Sequence, residues 1–209
     1  MLIPIKYKRP FVWLRRFRNR CGYGIHSPFA FHLITDVINE KLPYYDYSYL
    51  HNLEQTLSKD DGRRLLPKNE SIKLRRLLYR LANNVHPQCI VFAGEETMMF
   101  SYLKRASRQA HSVQTLNGII DMQLQTHFLV YIRFGFDMVQ LEDICLYYIE
   151  KASANSLLVV QGIGFSTEMK TFWRRLKADS RVGITFDLYD VGLVFFDHSK
   201  IKQDYIVNF

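Results

Sequence analysis

A strand-to-helix junction around Gly94 carries the residues best placed to bind a ligand. Cys89–Ala93 is a continuous apolar run, which is typical of a strand buried on both faces of a parallel sheet. Gly94 follows it directly, then come Glu95 and Glu96, and apolar residues at helical spacing begin at Met98. In doubly wound α/β folds, ligands bind where such a loop leaves the carboxyl end of the sheet. The position therefore predicts a ligand site.

The side chains of this loop are unusual for a nucleotide site. Such loops usually carry several glycines, because the backbone must come close to a phosphate or a ribose. This loop has only Gly94. Glu95 and Glu96 also stand at the start of the helix, where an anionic ligand would need free N–H groups. The location thus favours a cofactor, whereas the side chains do not.

Strand and helix patterns alternate on both sides of this junction. Short apolar runs predict the other strands of the sheet, at 112–117, 127–132, 156–160, 183–189, 191–196 and 205–209. Apolar residues at helical spacing predict the helices, at 71–85, 138–152 and 167–178. An alternating βα pattern that closes with a hairpin predicts an α/β fold with a mostly parallel sheet and an antiparallel C-terminal edge.

The first part of the chain lacks this alternation. We expect residues 1–85 to form a helical extension that packs on a core domain of residues 86–209. Ser27 is a good N-cap and Pro28 suits a first helical position, so a helix is predicted to begin there. His26 precedes this cap; it is a candidate ligand contact, or it stabilises the turn.

Composition limits the cellular setting. A chain of 209 residues is long enough for one domain with an elaborated terminus. No apolar stretch approaches the roughly 20 residues needed to cross a bilayer, and the N-terminus lacks the apolar core of a secretory signal. Cys21, Cys89 and Cys145 are odd in number and far apart, which is typical of free thiols in a reducing compartment. The sequence therefore predicts a cytoplasmic protein.

The formal net charge is +8, and much of it is local. Two clusters hold most of the excess: Lys6, Lys8, Arg9, Arg15, Arg16, Arg18 and Arg20, and Arg63, Arg64, Lys68, Lys73, Arg75, Arg76 and Arg80. Such clusters suit an anionic partner, or they form a solvated face. A short basic helix at 7–20 would dock its aromatic residues on the domain's own surface or on a second copy of the chain, so a homodimer is one expected assembly.

Two segments, one near each end of the sequence, carry a family resemblance. The run Arg20–Phe29, with Gly22, Gly24 and His26-Ser27-Pro28, resembles the N-terminal signature of a group of class I S-adenosylmethionine-dependent methyltransferase-like proteins from Bacteroidetes. Glu168-Met169 with Trp173, and Ile184–Phe196, are similar to the C-terminal part of that group. The resemblance implies a seven-stranded Rossmann-like methyltransferase sheet preceded by extra helices, with S-adenosylmethionine as the cofactor.

The resemblance also implies the site, and there this sequence departs from the family pattern. The implied cofactor-binding positions are Gly94, Glu95, Asn117, Arg133 and Gln161, and the implied substrate contacts are Phe165 and His26. The acid of the first strand is replaced by Phe92, and the acid that would hold the ribose by Asn117. After the third and fourth strands the family's aspartates are replaced by Arg133-Phe134-Gly135 and Gln161-Gly162. Because the carboxylates are missing from these loops, no bound metal is expected.

Three functions remain open from the sequence. The first is a methyltransferase-like protein that keeps the fold but has degenerated in cofactor binding and catalysis. The second is an active methyltransferase on an unknown small molecule with an atypical pocket, because methyl transfer from a sulfonium needs alignment more than acid–base groups. The third is a non-catalytic protein that binds nucleic acid or another anionic partner through its basic helices.

Overall fold

The computed structural model describes residues 5–19, 22, 24–59, 64–120 and 127–209. Arg20 and Cys21, which belong to the N-terminal motif and to the cysteine set, lie outside the described residues, as does Arg63 of the second basic cluster. Cys89 and Cys145 are buried free thiols. In the described part of the chain, no helix has the length and apolar character that a membrane span requires.

The described elements follow the alternation that the sequence predicts. The helices are α1 (Ile5–Arg15), α2 (Pro28–His32), α3 (Tyr47–Lys59), α4 (Ile72–Val85), α5 (Met98–Ala106), α6 (Met138–Lys151) and α7 (Thr167–Ala178), with a 3₁₀ turn at Phe17–Asn19 and a π-helical segment at Leu33–Ile38 after α2. The strands are β1 (Cys89–Ala93), β2 (His111–Thr115), β3 (Phe128–Ile132), β4 (Leu157–Gln161), β5 (Thr185–Asp187), β6 (Val191–Phe195) and β7 (Asp204–Ile206).

All seven strands form one sheet in the order β2-β1-β3-β4-β6-β5-β7. Strands β1 to β4 are parallel, β6 is antiparallel to both β4 and β5, and β7 lies parallel to β5. The prediction of an α/β Rossmann-like sheet with an antiparallel C-terminal hairpin is therefore confirmed. The chain runs outward from β1 to β2 and returns to β3 on the other side of β1. The space between β1 and β3 is thus the topological switch point, where open α/β sheets bind ligands.

Helices cover both faces of the sheet. Ile90 and Phe92 of β1 pack with α4 and α5 on one face, and Val91 and Ala93 pack with α6 and α7 on the other. This explains why the central strands are continuous apolar runs. Helix α4 begins at Ser71, whose side chain accepts a hydrogen bond from the N–H of Leu74 at 3.3 Å. Its leucines belong to the same core as the strands, so this helix of the N-terminal extension helps to position the sheet.

Helix α1 lies at the other end of the sheet, beside β5 and β7. Arg16, just after α1, forms an ion pair with Asp187 at the end of β5, with 2.8 Å between Nη1 and Oδ1. The backbone N–H of Asn208 donates to the carbonyl of Asn19 at 2.9 Å. The side-chain amide of Asn208 donates to the carbonyl of Trp13 at 3.2 Å. The first and last segments of the described chain are thereby joined at the carboxyl edge.

Candidate functional site

Three of the predicted site residues form one row across the centre of the sheet. The register places Ala93, Ile132 and Val160 side by side on β1, β3 and β4. Gly94, Arg133 and Gln161 are the next residues, at the carboxyl ends of these strands. On the outer side, Leu116 follows Thr115, the partner of Ala93 on β2. A cavity of about 470 Å³ opens beside this row, lined among others by Gly94, Glu95, Leu116, Arg133, Phe134 and Gly135.

Gly94 must be glycine for two reasons. Its φ of +126° lies where side chains are rarely tolerated, and a Cβ there would lie 2.8 Å from the Cβ of Arg133. The backbone of Gly94 is also fully bonded within the protein. Its N–H donates to the carbonyl of Thr115 at 2.8 Å, and its carbonyl accepts from the Gln114 amide at 2.8 Å. The loop therefore leaves neither of these groups free for a ligand.

Arg133 covers Gly94 and is held by two carboxylates. Its Nε donates to Glu70 Oε1 at 3.1 Å, and its Nη1 lies 3.5 Å from Glu95 Oε2. The Glu70 side chain is fully buried, whereas that of Glu95 is 67% exposed. The pair with Glu70 thus lies inside the protein, and the pair with Glu95 closes it toward solvent.

The surroundings of Glu70 are poorly solvated. Burial raises the pKa of its carboxyl above the usual value, against the opposing charge of Arg133. Glu70 Oε2 has no hydrogen-bond partner among the described residues, and neither has the hydroxyl of Tyr131 on β3. Burial also raises the pKa of Tyr131 well above its usual value, so this phenol stays neutral. Arg133 is the cation in direct contact with the Glu70 carboxyl group, and the charge of Arg75 acts on it in the same direction.

Gln161 and Phe165 form the far side of the row. Gln161 Oε1 accepts a hydrogen bond from the backbone N–H of Phe134 at 3.0 Å, which fixes the loop after β3. The ring of Phe134 packs edge-on against Phe165 with 5.3 Å between centroids. Phe165 in turn contacts Tyr189. The structure therefore brings Gly94, Glu95, Arg133, Gln161 and Phe165 together at one edge of the sheet.

Two predicted residues stand apart from this row. Asn117 is exposed, two positions beyond the end of β2, and Leu116 takes the place beside Gly94. His26 is also exposed. Phe29, three residues after His26, packs against Phe195, which lies opposite the first residue of β4 and thus near the amino ends of the parallel strands.

Glu70 is the site residue that the sequence did not indicate. It lies directly before Ser71, the N-cap of α4, where an acidic residue is ordinarily a solvated neighbour of the helix start. Its contact with Arg133 spans 63 positions of the chain. No local sequence pattern predicts such a contact.

The row does not fit S-adenosylmethionine in the way that the resemblance implies. The Arg133 stem occupies the space above Gly94, the Gly94 backbone is already bonded, and the ribose position offers an exposed amide, Asn117, in place of a carboxylate. A permanent guanidinium charge would also stand beside a cationic sulfonium. Nor do the described residues contain a group of three or more His, Cys, Asp or Glu side chains that could hold a metal ion.

Comparison with known proteins gives similarities of structure only. No family model matches the sequence, and no curated protein matches it. The chain is similar to the SAH-bound methyltransferase PaMTH1 of Podospora anserina, with 11% identity and a TM-score of 0.42 over 75% of this chain and 98% of that one. It is also similar to a TehB-like SAM-dependent methyltransferase of Corynebacterium glutamicum, with 12% identity and a TM-score of 0.36 over 75% and 99%.

A DUF574 family protein of Streptomyces avermitilis is similar with 10% identity and a TM-score of 0.33, over 68% of this chain and 72% of that one. The assignment of the fold rests on the strand order and register described above.

Proposed function

We propose that this chain is an S-adenosylmethionine-dependent methyltransferase-like protein that has degenerated in cofactor binding and catalysis. The observation that carries the proposal is the position of Arg133, whose stem covers Gly94 at the switch point and whose guanidinium is paired with buried Glu70. The family resemblance implies that a cofactor would bind close to the backbone of Gly94. The Arg133 stem lies against Gly94, so a ligand in the adjoining cavity would meet this side chain, whose charge is balanced from within the protein.

The ion pair is difficult for a ligand to displace. Separating Arg133 from Glu70 would leave a carboxylate with no exposed surface, and the remaining nearby cation, Arg75, is already paired with Glu54. Leaving one partner of a buried pair uncompensated typically costs about 3–5 kcal/mol. A ligand of ordinary micromolar affinity has only about 8 kcal/mol of binding free energy in total. Opening this site would therefore consume a large share of it.

Isothermal titration calorimetry with S-adenosylmethionine, and with S-adenosylhomocysteine as the second ligand, tests the proposal. We expect no binding heat and no thermal shift at millimolar ligand. Binding at micromolar strength would contradict the proposal and support an active methyltransferase with an atypical pocket. The double variant Glu70→Gln with Arg133→Met removes both charges together, so a gain of binding in this variant would identify the ion pair as the cause of closure.

A further inference from the structure

A second cavity lies at the same carboxyl edge of the sheet, between α1 and α7. Its volume is about 460 Å³, which is in the range of small-molecule sites. Arg15 and Arg16 bound it on the α1 side, and Lys170, Arg174 and Lys177 bound it on the α7 side. Asp187, at the end of β5, also lines this cavity.

The cations of this α1–α7 groove exceed its acids. Asp187 is the one carboxylate among its lining residues, and it pairs with Arg16 at 2.8 Å. Lys177 pairs with Asp204 at 3.1 Å. Within the described part of the chain, the structure gives Arg15, Lys170 and Arg174 no acidic partner. Three cations without internal balance therefore surround one concave space, which favours an anionic ligand.

Helix periodicity explains why the α7 cations act together. Positions 170, 174 and 177 are separated by four and three residues, so their side chains project from one face of α7. Arg175, one residue beyond Arg174, lies on a different face and pairs with Glu142 of α6. The same helix thus carries a cationic face toward the groove and a paired arginine away from it.

The floor of the groove is apolar and aromatic. Ile163, Tyr189 and Trp173 line it beneath the charged rim. The Trp173 side chain is almost fully buried, with 3% of its surface exposed. Its ring lies against Gly192, where an added Cβ would come within 2.5 Å of the indole. Its buried Nε1 has no hydrogen-bond partner in the described structure. An unsatisfied donor of this kind is expected to find an acceptor.

We propose that the α1–α7 groove binds a small phosphorylated ligand of the nucleoside-phosphate class. Several phosphate charges would balance Arg15, Lys170 and Arg174 at the rim, and a planar base or sugar would cover the apolar floor. Arginine and lysine are the usual partners of phosphate oxygens. A second copy of the chain suits the groove poorly, because its net charge of +8 would face the same cations. The proposal is independent of whether the switch point binds S-adenosylmethionine.

Calorimetric titration with ADP, and separately with pyrophosphate, tests this assignment at low ionic strength. The test variant is Lys170→Gln with Arg174→Gln, which removes two rim charges. The control is Lys151→Gln with Arg175→Gln, which removes two exposed charges on α6 and α7 that do not line the groove. Both variants have the same net charge, so a difference between them reports position and not overall electrostatics.

We expect ADP to bind wild type and control alike, and to bind the test variant at least about tenfold more weakly, because contacts to charged groups contribute about 1.5–3 kcal/mol each. We expect ADP to bind more tightly than pyrophosphate because its nucleoside covers the apolar floor; equal binding would contradict the nucleoside part of the assignment. In a Trp13→Phe background, Trp173 is the sole tryptophan, so its emission should change on ADP binding.

Three results would overturn the assignment. The first is the absence of ADP and pyrophosphate binding at millimolar concentration. The second is equal weakening in the two double variants. The third is binding of an oligonucleotide while ADP does not bind, which would make the surface a nucleic-acid interface.

Discussion

The switch point and the α1–α7 groove lie on the same edge of one sheet, but they differ in whether their basic side chains are paired with acidic ones. At the switch point, Arg133 is balanced by Glu70 inside the protein and by Glu95 at the surface. In the groove, Arg15, Lys170 and Arg174 have no acidic partner among the described residues. The carboxyl edge of an α/β sheet therefore provides a location for a ligand, but the pairing of its side chains decides whether that location is available.

The largest expected change in stability distinguishes the buried partner of Arg133 from its exposed partner. Glu70→Ala removes the buried carboxylate and leaves a mostly buried guanidinium, so we expect a loss of about 3 kcal/mol in the free energy of unfolding. Glu95→Ala removes the exposed partner of the same arginine and should cost less than about 1 kcal/mol. Chemical denaturation of both variants measures the difference. Equal losses would show that the interior pair does not hold the switch point closed.

Alanine substitutions at two glycines test how tightly Arg133 packs against Gly94. Gly94 and Gly135 both have positive φ, at +126° and +142°, but an added Cβ would meet Arg133 only at Gly94. We expect Gly135→Ala to cost about 1–2 kcal/mol for backbone strain alone, and Gly94→Ala about 2–3 kcal/mol. If denaturation gives the same value for both, the packing of Arg133 on Gly94 adds nothing to stability.

Glu70 also gives the switch point a pH dependence of defined sign. Because burial raises its folded-state pKa above 4.5, the folded protein holds this proton more tightly than the unfolded chain does. The stability that comes from protonation is complete below the unfolded pKa, and it is lost as the pH rises through the raised folded pKa. Each unit of difference in pKa corresponds to about 1.4 kcal/mol.

The measurement is the difference in unfolding free energy between wild type and Glu70→Gln, followed from about pH 4 to about pH 8. Other carboxyl groups are common to both proteins and cancel in this difference. The advantage of the wild type should shrink as the pH rises. A difference that grows with pH would mean that Arg133 outweighs burial and lowers the pKa of Glu70.

The smallest change in the free energy of unfolding is expected for substitutions in the α1–α7 groove. Lys170→Gln with Arg174→Gln should change the free energy of unfolding by no more than about 0.5 kcal/mol, because these exposed cations have no ion pair to lose. Thermal denaturation alongside the Glu70 variants makes the comparison direct. A loss as large as that of Glu70→Ala would show that the groove cations stabilise the fold and are not held available for a ligand.

The sequence predicted the fold better than the site, for identifiable reasons. The buried strands read as apolar runs, so Gly94, Arg133 and Gln161 could be placed at strand ends, and the parallel register aligns those ends in one row. The family resemblance places Asn117 in this row as well. However, the register pairs Thr115 with Ala93, so Leu116 stands beside Gly94 and Asn117 lies one residue further on.

Contacts between segments that are distant in sequence could not be predicted from sequence patterns. Glu70 meets Arg133 across 63 positions, and the α1–α7 groove joins the first helix to the last. Neither leaves a periodic or local signal. The division at residue 85, the homodimer and the cytoplasmic location remain predictions.

The hydrogen bonds between Asn208 and the segment around α1 affect the order in which the protein assembles. Asn208 bonds to Trp13 across 195 positions, so α1 leaves the ribosome long before its partner is synthesised. Contacts of such wide separation require the most loop closure and form late. The α/β core can assemble as its strands emerge, whereas the hydrogen bonds between Asn208 and the α1 segment form only after residue 208 has been synthesised. A translation stop just before Asn208 would therefore leave a nearly complete sheet, in which the segment around α1 keeps its ion pair with Asp187 but lacks its hydrogen bonds to Asn208.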